Sequence, residues 1–206
     1  ERLLRAQTFA TDAQLQMLRY QLNPHFMFNT MNAISTLIYK NENDKANEML
    51  DKLCEFFRYS LDFKAKSTTS LKKELALLDV YLSIEKVRFA ERLNVQLEVS
   101  ENAMNCQVPT MLLQPLIENS IKYAIEPRKE PGTITVNAKC ESDKLLISVV
   151  DDGYWHDKKT KKGFGIGISN TRARLDAMFN GNYEISILSE TNVTGVSVEI
   201  VMPIEK

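Results

Sequence analysis

At 206 residues the chain has room for one large domain or two small ones. Its 44% hydrophobic and 26% charged residues are ordinary for a globular protein, and a net charge of −1 argues against a nucleic-acid surface or a polybasic membrane patch. Three cysteines, Cys54, Cys106 and Cys140, form no CxxC pair. This speaks against a zinc site and a disulfide framework and suits a reducing compartment.

No apolar run is long enough to span a bilayer. The chain starts without Met inside a helical pattern, which predicts a fragment whose N-terminal part is missing. Residues 1–40 hold no Gly and one Pro. Leu4, Thr11, Leu18 and His25 recur every seven residues, with Thr8, Leu15, Leu22 and Asn29 as the companion row. That is a coiled-coil-like seam, strongest at Leu15, Leu18 and Leu22. Phe26, Ala33 and Leu37 continue the stripe. Asn41 to Asp44 is a polar break, and a second helix follows with Ala46, Met49, Leu53, Phe56 and Leu61 in phase. Two such helices cannot enclose a core, so a second copy completing a four-helix bundle is expected, against packing on the same chain.

The pattern changes at Ser67 to Ser70. Leu71 to Phe89 reads as a helix, Leu93 to Val99 as a strand, and Met111 to Ala124 as a helix. Thr133 to Cys140 and Leu145 to Val150 read as strands. A helix carries Ile168, Leu175 and Phe179 and stops at Asn180-Gly181. Glu184 to Leu188 and Val196 to Met202 close the chain as a hairpin. The expected architecture is a helical-hairpin dimerisation region (1–67) followed by an α+β two-layer sandwich (68–206).

Several stretches carry chemistry. His25 lies directly after Pro24, and neutral imidazole is a usable nucleophile near pH 7. Asn119 and Lys122 share a face of an apolar helix; an amide oxygen suits Mg²⁺ and an ammonium suits phosphate. The alternative there is an exposed Glu118–Lys122 pair. Asp151 ends an apolar strand, where its carboxylate can accept from an adenine amino group while Gly153 leaves room for the ring; a plain Asp-Gly turn is the alternative. Gly163, Gly165 and Gly167 precede a helix, so backbone N–H groups can approach a phosphate.

Taken in order and spacing, these stretches resemble the cytoplasmic part of the LytS-type sensor histidine kinases. Asn23 to Asn29 is similar to that family's H box, Leu112 to Lys122 to its N box, Asp151 to Gly153 to its G1 box and Gly163 to Leu175 to its G2 box. Glu74-Leu75, Tyr81-Leu82, Ile84-Glu85 and Arg88-Phe89 match a further conserved helix. The resemblance implies the ATP-binding fold shared with gyrase. It also implies Mg²⁺ held at Asn119, autophosphorylation on His25, and transfer to an Asp of a response regulator, in this family often of the LytTR DNA-binding type. It puts Glu118 among the catalytic residues and makes the chain the cytoplasmic portion of a membrane protein, with no direct nucleic-acid binding. Phe26 stands where many histidine kinases carry an acid, so Asn29 at i+4 or Gln21 at i−4 is the expected partner that fixes the His25 tautomer, Asn29 being preferred. Tyr123-Ala124, Asp152 and Trp155 depart from the pattern and bear on the adenine pocket and the lid. The other readings are an ATP-binding module with little or no turnover and a non-enzymatic coiled-coil scaffold.

Overall fold

The structure, a computed structural model, describes residues 24–62, 68–153, 164–188 and 195–204. Leu4 to Leu22 of the expected seam, the Ser67 end of the boundary, the lid expected at Trp155 to Lys162 with His156, Lys158, Lys159, Lys161 and Lys162, and Gly163 lie outside the described residues.

Helix α1 (Pro24–Tyr39) and helix α2 (Asn43–Asp62) form the expected hairpin. Asn41 turns the chain with φ +60, a conformation asparagine tolerates, and Glu42 N–H donates to the Leu37 carbonyl at 2.9 Å. The inner face buries Phe26, Ile34, Ala46, Met49, Leu53 and Phe56. That face does not stop at its own pair of helices. It rests on α3 (Leu71–Phe89), where Tyr81 closes an aromatic cluster: ring centroids are 4.9 Å apart for Phe26–Tyr81, 5.3 Å for Phe26–Phe56 and 5.9 Å for Phe56–Tyr81. The buried core therefore runs across the sequence boundary expected at residues 67 and 68.

Ser70 caps α3, its hydroxyl accepting from Lys73 N–H, with Glu74 in the first turn and Lys86 and Arg88 in the last, as the helix dipole favours. Two short strands, β1 (Thr68–Ser70) and β3 (Gln107–Pro109), pair antiparallel beside that cap. The main sheet has strand order β2 (Leu93–Val99), β4 (Gly132–Glu141), β5 (Lys144–Asp151), β7 (Val196–Pro203), β6 (Glu184–Leu188). Only β2 and β4 run parallel. Ile134, Val136, Ala138, Leu145, Ile147, Val149, Val198, Ile200 and Met202 form its buried face, the period-2 signature of a sheet covered on one side. Helix α4 (Gln114–Ser120) packs against β5 and against α5 (Phe164–Phe179).

The helix read as Met111 to Ala124 differs from expectation in two ways. The helix read from Met111 begins at Gln114, because Met111 adopts φ +56, outside helical space. Its last residues, Ile121–Ile125, widen into a π turn. Cys106 and Cys140, 34 residues apart in sequence, have their sulfurs 3.2 Å apart as free thiols.

Candidate functional site

The site grows from the entry to α4. The left-handed turn at Met111 is held from both sides by buried charge. Glu74 accepts from Met111 N–H at 2.9 Å and Leu113 N–H at 3.0 Å. Arg174 donates to the carbonyls of Thr110, at 3.0 Å, and Met111. Burial raises the Glu74 carboxyl above its ordinary range, opposed by those two N–H groups and by Arg174. These residues belong to stretches that the sequence marks, but their joint task was not read from it. The available signal was a charged residue at an inward position of each helix. Breaking either side would unpin the helix that carries Asn119.

Asn119 points into the space between α4 and α5. Its Nδ2 is buried and has no hydrogen-bond partner among the described residues. A Cβ added at Gly167 would lie 2.7 Å from that Nδ2, so the absence of a side chain there is what lets the two helices meet at the amide. A buried, unpaired amide donor is costly unless something polar reaches it, and nucleotide phosphate is such a group. The helix start supports this. α5 begins at Phe164, so Gly165 and Gly167 lie in its first turn rather than ahead of it, and their N–H groups are among those a helix leaves unpaired. Lys122 is exposed, its Nζ 5.2 Å from the Tyr123 ring centroid. Glu118 accepts from Gln114 Nε2 at 2.7 Å rather than standing as a simple surface acid.

Asp151 ends β5 and is buried, 5% exposed. Burial raises its carboxyl, while Ser120 and the N–H of Gly153, at 3.1 Å from Oδ1, hold the charged form. Gly153 has a second reason beside the one expected. A Cβ there would meet the Ala124 Cβ at 2.5 Å, so the neighbouring helix by itself requires glycine at this position. Asp152 has its own partners: Thr133 N–H donates to Oδ2 at 2.9 Å, and Arg128 donates to Oδ1 and, at 3.0 Å, to the Asp152 carbonyl. The change from the usual amide at this position is thus matched by a cation.

His25 lies on the first turn described for α1, more than half exposed. Asn29 reaches it as spacing predicts, with Nδ2 3.1 Å from Nε2 and 3.3 Å from Nδ1. An amide nitrogen donates, so it suits a ring lone pair rather than a ring N–H. A group able to accept a ring N–H is one that sequence reasoning missed. Glu126 Oε1 stands 3.8 Å from Nε2, at the end of the π turn that continues α4. Arg88 bridges Glu126 to Glu85, at 3.2 Å from the latter, and Tyr81 donates to Glu85 at 3.3 Å. A chain of charge thus runs from the imidazole into α3, beneath the Phe26–Tyr81 contact.

Comparison with known proteins bears on the family and the fold. Residues 13–93 match the profile of the histidine kinase family. Over 203 residues the chain is 36% identical to the sensor protein LytS of Staphylococcus saprophyticus, covering 93% of this chain and 34% of that protein. Over 200 residues it is 32% identical to the sensor histidine kinase YesM of Bacillus subtilis, covering 96% and 34%. The histidine kinase AdeS of Acinetobacter baumannii shares the fold, with a TM-score of 0.51 over 92% of this chain and 98% of that one at 13% identity. The chain spans about a third of the length of the curated relatives it matches. The profile match and these relatives place the chain in the histidine kinase family. Within that class the chain belongs to the LytS-type sensor histidine kinases.

Proposed function

We propose that the chain binds Mg²⁺-ATP between α4 and α5, phosphorylates itself on His25, and passes the phosphoryl group to an Asp of a response regulator, by resemblance one of the LytTR type. The observation that carries this reading is the buried Asn119 amide, unpaired among the described residues and facing the glycine turn of α5. Asn119 offers Nδ2 to a phosphate oxygen and Oδ1 to the metal. Lys122 and the first-turn N–H groups of α5 neutralise phosphate charge. Bound Mg²⁺ supplies further neutralisation of the transferring group. Asp151 accepts from the adenine amino group.

At the acceptor, a ring lone pair of His25 attacks the γ-phosphorus in line and the β–γ oxygen leaves with ADP. Positive charge builds on the ring as the bond forms. Glu126 accepts the remaining ring N–H and stabilises that charge, Arg88 holds Glu126, and the Asn29 amide holds the ring lone pair until it is released for the attack. The dimer is built on the hairpin, which leaves Phe28, 72% exposed, Tyr39, 89% exposed, Ile38 and Tyr59 uncovered. No described helix is long and apolar enough to cross a membrane. By resemblance the chain is the cytoplasmic portion of a membrane sensor.

Incubation with γ-labelled ATP and Mg²⁺ tests the reading. The expected product is an acid-labile, alkali-stable phosphoramidate, lost in His25→Gln with ATP affinity retained and largely kept in His156→Gln. Label that survives in His25→Gln, or that is acid-stable as a Ser or Thr ester is, overturns the assignment.

A further inference from the structure

Cys106 and Cys140 are outside the phosphoryl-transfer site, and the proposed function makes no use of them. Their sulfurs are 3.2 Å apart, and both thiols are positioned by one acceptor, the Asn102 carbonyl, at 3.7 Å and 3.6 Å. Cys106 is buried; Cys140, near the end of β4, is partly exposed. A disulfide needs sulfurs ~2.05 Å apart, so bonding asks for about 1 Å of travel between two side chains that already face each other.

The loop holding Cys106 is tied to the start of α3. Its carbonyl accepts from Leu71 N–H at 2.9 Å, and the Met104 carbonyl accepts from Lys72 N–H at 2.9 Å. These are two of the N–H groups that a helix leaves unpaired within itself. On the other side Cys140 is in register with Leu145 inside the sheet. A bond between the sulfurs would therefore fasten the cap of α3 to the central sheet.

We propose that Cys106 and Cys140 are a reactive thiol pair that low-molecular-weight disulfides convert to an intrachain disulfide, clamping the N-terminal cap of α3. The chemistry balances as two exchanges. The Cys140 thiolate attacks one sulfur of RSSR and expels RS⁻, giving a mixed disulfide. The Cys106 thiolate then attacks the Cys140 sulfur and expels the second RS⁻. The two protein thiols are oxidised, the small disulfide is reduced to two RSH, and the two protein protons end on the leaving thiolates. Cys140 attacks first because it is the reachable sulfur. Burial and the neighbouring thiol push Cys106 up to about 11, so the second exchange is the slow one and accelerates as pH rises.

The test uses the full chain with Cys54→Ser, which removes the exposed third thiol. The protein is equilibrated with mixtures of reduced and oxidised glutathione, quenched by alkylation and mapped by peptide mass spectrometry, and amide exchange is followed at Leu71 and Lys72. The expected result is joint loss of both thiols to a Cys106–Cys140 cross-link, with exchange at those two amides slowed at least tenfold, and a thermal midpoint raised by several degrees. In Cys140→Ser neither amide should slow. If that variant does not fold, the oxidised and reduced Cys54→Ser forms carry the comparison alone. A persistent glutathione adduct on Cys140 with Cys106 still alkylatable after denaturation overturns the pair, and a cross-link that leaves both amides exchanging at the reduced rate overturns the clamp.

Discussion

Phe26, the residue immediately after His25, packs its ring on Tyr81 of α3 with centroids 4.9 Å apart. The acceptor histidine is thereby held at a fixed place on the unit that carries Asn119. Phe26→Ala should cost about 3 kcal/mol, the usual scale for removing a buried aromatic ring, and should lower autophosphorylation more than ATP affinity. Urea unfolding with parallel nucleotide binding checks this; equal loss of both would disconnect the ring from acceptor placement.

Asn119→Ala should separate stability from activity. The amide's Nδ2 has no partner among the described residues, so its removal relieves a buried unsatisfied donor and leaves the fold as stable or slightly more so. Phosphorylation should fall by at least about a hundredfold, the scale of losing one well-placed donor. Unchanged activity at limiting Mg²⁺ would take Asn119 out of the metal and phosphate roles.

Asp151→Asn keeps an oxygen that can accept from Gly153 N–H but loses the pure-acceptor carboxylate. ATP affinity should drop about tenfold, roughly 1.4 kcal/mol, with a narrower preference over GTP, whose base presents a carbonyl where adenine presents an amino group. Calorimetric titration with both nucleotides decides it, and an ATP affinity equal to the parent's would sink the placement.

Much of this molecule could be read directly from residue order. The strands alternate as the sequence does, and His25 and Asn29 meet because a helix puts i and i+4 on one face. What escaped is what depends on contacts between distant segments. Nothing local marks Met111 for φ +56; Glu74 and Arg174, 100 residues apart, impose it together. Glu126 reads as an ordinary loop acid until Arg88 and the hairpin bring it to His25. Cys106 and Cys140 look unrelated until β4 passes the loop at Asn102. The lid and most of the seam, Leu4 to Leu22, fall outside the described residues.

Glu85 predicts a pH dependence. Burial raises its carboxyl from 4.5 to about 7 in the folded chain, with Arg88 and Tyr81 opposing the shift. Between those values the folded state keeps a proton that the unfolded state has shed, so Glu85's contribution is fully present below pH 4.5 and is lost as pH rises through about 7. Glu85→Gln should remove roughly 2–3 kcal/mol of the stability difference between pH 5 and pH 8. Denaturant midpoints for both proteins at the two pH values measure it; an unaltered difference would mean that Glu85 is charged throughout.

The contact between Gly153 and Ala124 has a consequence for how this chain can change. A methyl at position 153 would lie 2.5 Å from the Ala124 Cβ and 2.9 Å from the Ala124 Cα, so the side chain and the backbone of the π turn both exclude it. Removing the Ala124 methyl relieves only the first of these contacts. Gly153→Ala should therefore stay costly in an Ala124→Gly background, and the void that Ala124→Gly opens is one that position 153 cannot fill. The end of β5 can gain bulk only if the backbone of the turn moves away from it.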